Sequence, residues 1–112
     1  MTKTIYRIDF GPEVDLEESK KLLAGAIMVI ESLYGTPTTL MDLATKFDDD
    51  RRVLLIDGTE KPGVDLAKIF IGFAVRNFGE MAFKVERLDA PVETVPVSNR
   101  EQQSTEVVPT LQ

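Results

Sequence analysis

Thr38-Thr39-Leu40-Met41-Asp42-Leu43-Ala44-Thr45-Lys46-Phe47, then Asp48-Asp49-Asp50, then Arg51-Arg52-Val53-Leu54-Leu55-Ile56-Asp57, is the stretch on which the fold turns. The last seven residues hold the apolar run Val53-Leu54-Leu55-Ile56, are stopped by Gly58, and read as a strand. Thr38–Phe47 admits two readings. Its threonines favour a strand, which makes the aspartate run a hairpin turn. Leu40, Met41, Leu43 and Ala44 instead suit a short helix capped by Thr38 or Thr39. The hairpin is the more economical of the two.

Outward from this stretch the elements are plainer. Thr4–Phe10 alternates, with Tyr6, Ile8 and Phe10 on one face and Arg7 and Asp9 on the other, and Gly11-Pro12 ends it. Asp15 is an N-cap with Glu18 three residues on, and Gly35 is a C-cap. Between them Leu16, Leu22, Leu23, Ala26, Ile27, Val29, Ile30, Leu33 and Tyr34 make one helix face. A second helix is predicted from Asp65, near its cap, to about Phe78 and Gly79. Met81–Leu88 closes the pattern as an alternating strand.

The predicted order is therefore β-α-β-β-α-β, an α+β two-layer sandwich of ferredoxin-like type with its helices on one sheet face. Charges on one face of the first and last strands, Arg7 and Asp9, then Lys84 and Glu86, favour a sheet covered on one side only. With Thr38–Phe47 helical, the order becomes β-α-α-β-α-β with a mixed sheet. Residues 1–88 are read as one domain. Asp89–Gln112, with Pro91, Pro96 and Pro109 and no aromatic residue, is read as a disordered tail.

Composition narrows the chemistry. The 112 residues include no cysteine and no histidine. Disulfides, thiol nucleophiles and thiolate-bound metals are excluded, as are the commonest general base and transition-metal ligand. The 13 basic and 19 acidic residues give a net charge of −6, half of it on the last 24 residues. Such a balance disfavours a phosphate backbone as partner. No apolar stretch is long enough for a membrane span, and the N-terminus lacks a signal-peptide pattern, so a cytoplasmic home is expected. Neither a phosphate-cradling glycine loop nor a dinucleotide fingerprint is present, and no cofactor is expected.

Three features are candidates for function. The second helix is apolar over roughly 200° of arc where about 100° suffices to face a core, so Leu66, Ile69, Phe70, Phe73 and Phe78 are expected to form an interface with a protein partner or a second copy. Asp9 and Asp57 end two predicted strands; if those strands run parallel and adjacent, the two carboxylates can hold a magnesium ion with phosphate, with Lys61 on the phosphate. The tail repeats a Glu-x-Val-Pro core, carried by Val95-Pro96 and Val108-Pro109, suited to lying along a partner's groove or sheet edge. These support, in order, a non-catalytic interaction domain, a magnesium-dependent phosphate or nucleotide binder, and an acidic inhibitor mimicking nucleic acid.

The layout Val53–Asp57, Asp65–Phe78, Met81–Leu88 loosely resembles that of sulfate-transporter and anti-sigma-antagonist regulatory domains, but Val64-Asp65-Leu66 stands where those regulators carry their phosphorylated serine. The β-α-β-β-α-β order is similar to that of bacterial microcompartment shell proteins. Neither resemblance carries a functional residue over.

Overall fold

The structure, a computed structural model, describes residues 2–91. Four strands and three helices follow in the order β1 (Thr2–Phe10), α1 (Leu16–Tyr34), α2 (Thr36–Asp42), β2 (Thr45–Asp48), β3 (Val53–Asp57), α3 (Lys61–Phe78) and β4 (Phe83–Pro91), with a 3-10 turn at Glu80–Ala82. The strands form one sheet in the order β2-β3-β1-β4. Every neighbouring pair is antiparallel.

Both readings of the ambiguous stretch are half right. Its first part is helical, continuing from Gly35-Thr36-Pro37, with Pro37 in the first turn where its missing N–H is harmless. Its second part is β2, which pairs with β3 from Thr45↔Ile56 to Asp48↔Val53. The turn between them falls on Asp49–Arg52, and Arg52 takes a left-handed φ of 58°. The expected mixed sheet does not form.

Alternation sorts the sheet into two faces. On one lie Tyr6, Ile8 and Phe10, opposite Ile56 and Leu54 of β3 and Val85 and Phe83 of β4. Leu23, Ala26 and Ile30 of α1 and Leu66, Ala67, Phe70 and Ala74 of α3 pack on this face to close a single core. Their spacing of three and four residues is that of a helix stripe. Phe10 stacks on Phe47 with ring centroids 5.7 Å apart and meets Phe70 edge-on at 6.1 Å. Among the described residues no helix packs on the other face, which carries Lys3, Ile5, Arg7 and Asp9, Leu55 and Asp57, and Lys84, Glu86 and Leu88.

The ends of the elements have local causes. Asp15 accepts the N–H of Glu17 at 2.9 Å and caps α1. Gly35 and Gly79 end α1 and α3 at φ of 87° and 90° with ψ near 155°, a region only glycine enters at low cost. The expected start of α3 is corrected: the helix begins at Lys61, with Pro62 in its first turn and Asp65 already inside. The expected boundary after Leu88 also moves. Asp89, Ala90 and Pro91 continue β4 against Thr4, Lys3 and Thr2, and the Thr4 hydroxyl donates to Asp89 at 2.7 Å. The tail motif at Val95, Pro96, Val108 and Pro109 lies outside the described residues.

The first turn of α3 meets the end of β3 with no space to spare. A Cβ on Gly63 would lie 1.9 Å from the carbonyl oxygen of Asp57, whereas one on Gly72 would meet nothing within 4 Å. Gly63→Ala is therefore expected to cost about 3 kcal/mol, because the obstruction is backbone and cannot swing away. Gly72→Ala should raise stability by about 0.5–1 kcal/mol. Urea unfolding of the two variants checks both signs.

Candidate functional site

The register of β1 and β3 decides the fate of the carboxylate pair. Asp9 lies opposite Val53, while Asp57 lies opposite Ile5. The strands are adjacent but antiparallel, so the two strand-end aspartates are at opposite ends of the sheet, about 13 Å apart along the strands. Asp9 pairs with Arg7 at 3.2 Å, and Asp57 sits 3.6 Å from Lys3 and accepts the N–H of Thr59. The shared magnesium site expected of parallel strands is not assembled. Among the described residues no group of three carboxylates is placed to hold a metal ion.

Asp57 instead borders an open hollow of about 260 Å³ at one end of the sheet, with Lys3, Met41, Asp42, Ala44, Thr59 and Glu60. Burial works to raise its carboxyl, but the hydrogen bonds from Thr59 and the Lys3 ammonium outweigh it and hold the group below its ordinary value. Such a carboxylate stays ionised at neutral pH and caps the turn into α3. Lys61, expected to reach a phosphate, pairs with Asp65 at 3.0 Å.

The expected interface on α3 is corrected in part. Leu66 and Phe70 are wholly buried in the protein's own core and present nothing to a partner. Ile69, Phe73 and Phe78 are half-buried around that core. The cause is α1, which runs antiparallel beside α3 and covers much of the wide apolar arc. Gly25 of α1 leaves room for the Phe73 ring, 3.9 Å from where a Cβ would stand.

The exposed large apolar side chains of the helical layer lie mostly on α1 and α2, with Val75 on α3 and Met81 in the 3-10 turn exposed as well. Met28, Val29 and Leu33 are exposed on the last turns of α1, and Leu40 and Met41 of α2 are 76% and 84% exposed. Sequence reasoning missed this surface because it took α3 alone as oversized. The signal was present: the apolar arc of α1 is nearly as wide, and one face of a four-stranded sheet cannot cover two such arcs. On α2, Thr39 is the buried residue, its hydroxyl bonded to the Gly35 carbonyl at 2.9 Å. That orientation turns Leu40 and Met41 outward.

A polar latch ties the exposed end of α1 to the start of α3. The Tyr34 hydroxyl donates to the Asp65 carboxylate, which also receives Lys61. The Tyr34 bond and then the Lys61 bond hold Asp65 below its ordinary value, and the same contacts raise Tyr34 and Lys61. At the other end of the layer, Lys20 of α1 bonds Asp49 of the β2–β3 turn at 2.7 Å and lies over the Phe47 ring. Arg52 donates to the carbonyls of Gly11 and Val14, fixing the loop that leads into α1. These contacts link α1 to α3 and to the β2–β3 turn, and that turn to the loop that precedes α1.

No known protein family matches the chain, and no curated protein resembles it significantly in sequence. No helix among the described residues is long and apolar enough to cross a membrane.

The latch has a pH signature. Asp65, Asp57 and Asp89 all sit below their ordinary values in the fold, Asp89 through the Thr4 hydroxyl first. Their stabilising contribution is complete above the unfolded carboxylate value of about 4 and is lost as pH falls below it through the folded values. Tyr34→Phe should lower the melting temperature at neutral pH and flatten the decline below pH 4, since Asp65 then has less to lose. Thermal melts across pH 2–7 test this; an unchanged acid limb would show that the latch is idle.

Proposed function

We propose that the chain is a non-catalytic protein-interaction domain, a ferredoxin-like sandwich with α2 inserted before β2, which docks a protein partner on the outer surface of α1 and α2. The fold reading is supported by the order β2-β3-β1-β4 in an all-antiparallel sheet with two long helices on one face. The exposure of Leu40 and Met41 carries the functional reading. Side chains of this kind scattered singly need no explanation, but Leu40 and Met41 are successive on a seven-residue helix, and Met28 and Leu33 of α1 are exposed too, an apolar area that favours burial. The thioethers of Met28 and Met41 adapt to a partner's shape at little cost.

The phosphate-binding alternative loses its support with the separation of Asp9 and Asp57. The nucleic-acid-mimic alternative needs acids arrayed without cations. Here Asp9, Asp48, Asp49, Asp57, Asp65 and Asp89 are each paired with a nearby Lys or Arg. The apolar side chains exposed on α1 and α2 support the interaction reading instead.

A photo-crosslinking side chain in place of Met41, with Lys68 as an exposed control on α3, tests the reading in the source cell. A discrete adduct of defined mass is expected at position 41 and not at 68, and Leu40→Glu/Met41→Glu should remove its partner while changing stability by less than about 0.5 kcal/mol. Equal labelling at both positions, or none at either, contradicts it.

A further inference from the structure

We propose that β4 pairs with β4 of a second copy, antiparallel about a two-fold axis through Val85, joining two four-stranded sheets into one of eight. This surface is distinct from the α1–α2 surface and does not rest on it. The sheet has two edges, and they are unlike. β2 spans four residues, whereas β4 runs for nine, of which Phe83–Arg87 form the overlap with the second copy. From Lys84 to Ala90 every residue of β4 is exposed, including Val85 at 44% on the core side, so no helix overhangs the edge.

The ladder with β1 fixes which backbone groups are free. Gly11 N–H donates to the carbonyl of Ala82, so the even-numbered residues of this strand bond to β1. The N–H and C=O groups of Val85, Arg87 and Asp89 therefore point outward, and among the described residues nothing pairs with them. A two-fold edge pairing keeps both helical layers on the same side and matches residues of the same parity.

Charge then selects the register. Centred on Val85, Lys84 of each copy faces Glu86 of the other, twice, on the open face. Val85 meets Val85, and Phe83 meets Arg87. Centred on Lys84, Glu86 or Arg87, the strand sets a like charge against itself, which opposes pairing. Centred on Leu88, Arg87 and Asp89 complement each other, but Pro91 falls opposite Val85 and has no N–H to give. Charged edges ordinarily repel foreign strands; in this one the sign alternates so that it complements its own reverse. The occupant is thus a second copy of this chain.

Sedimentation equilibrium of the full chain is the test. The expected species is a concentration-dependent dimer of the 12.5 kDa chain. Lys84→Glu and Glu86→Lys should each weaken association roughly tenfold, and the two together should restore it. Val85→Pro removes an outward N–H at an edge position and a side chain that is 44% exposed, so it should abolish the dimer while leaving the monomer folded. Amide exchange at Val85 and Arg87 should slow only at concentrations where the dimer forms. A monomer up to about millimolar concentration, a dimer indifferent to the charge swap, or protection that persists on dilution, as when the chain's own C-terminal segment covers the edge, would each overturn the proposal.

Discussion

The antiparallel pairing of β1 with β3 is the constraint from which the rest of this structure follows. β1 lies inside the sheet, bonded to β3 through its even residues and to β4 through its odd ones. Its alternation therefore assigns both faces at once: Tyr6, Ile8 and Phe10 inward under the helices, Lys3, Arg7 and Asp9 outward. A one-residue slip would exchange the two sets, burying Arg7 and exposing Ile8, so the register is held by the hydrophobic pattern itself. The same pairing sends Asp9 and Asp57 to opposite ends of the sheet.

Above that sheet, two long helices compete for one face. Both are more apolar than a surface helix requires, and their mutual packing resolves most of the conflict: α3 takes the deeper position with Leu66 and Phe70 fully enclosed, and α1 lies against it. The residue of that competition appears on the far turns of α1 and on α2. Polar contacts at both ends, Tyr34 with Asp65 and Lys20 with Asp49, hold the helices where the exposed apolar groups stand on a firm base.

Much of this was legible from residues alone, and the failures have physical causes. β1, β3 and β4 announce themselves by alternation or by an apolar run, and Gly35 and Gly79 mark the helix ends because no other residue sits easily at their dihedral angles. The one-sided covering of the sheet followed from the charges of Arg7, Asp9, Lys84 and Glu86. The division of Thr36–Asp48 into α2 and β2 was not legible: threonine serves both elements, and the choice is made by Thr39 reaching the Gly35 carbonyl and Phe47 reaching Phe10. The start of α3 was misplaced because Pro62-Gly63 reads as a turn. In fact the proline suits a first helical turn, and the glycine is demanded by the Asp57 carbonyl. The direction of β3 against β1 follows from topology, since a helical crossover followed by a hairpin makes the two strands antiparallel; the parallel-strand metal site was inconsistent with the expected sandwich itself. The interface expectation on α3 was narrowed for a related reason: Leu66 and Phe70 are enclosed by neighbouring elements, and the burial of a helix depends on its neighbours as much as on its own arc.

The account rests on which residues of β1 and β3 face each other, and interstrand nuclear Overhauser contacts measure that directly. Asp9–Val53 and Arg7–Leu55 are the non-hydrogen-bonded pairs of this ladder, where facing α-protons come closest. Strong α-proton contacts within both pairs are predicted, with none between Asp9 and the neighbourhood of Asp57. Absence of the two facing contacts, together with proximity of Asp9 to Asp57, would contradict the antiparallel sheet and return the carboxylate pair to consideration.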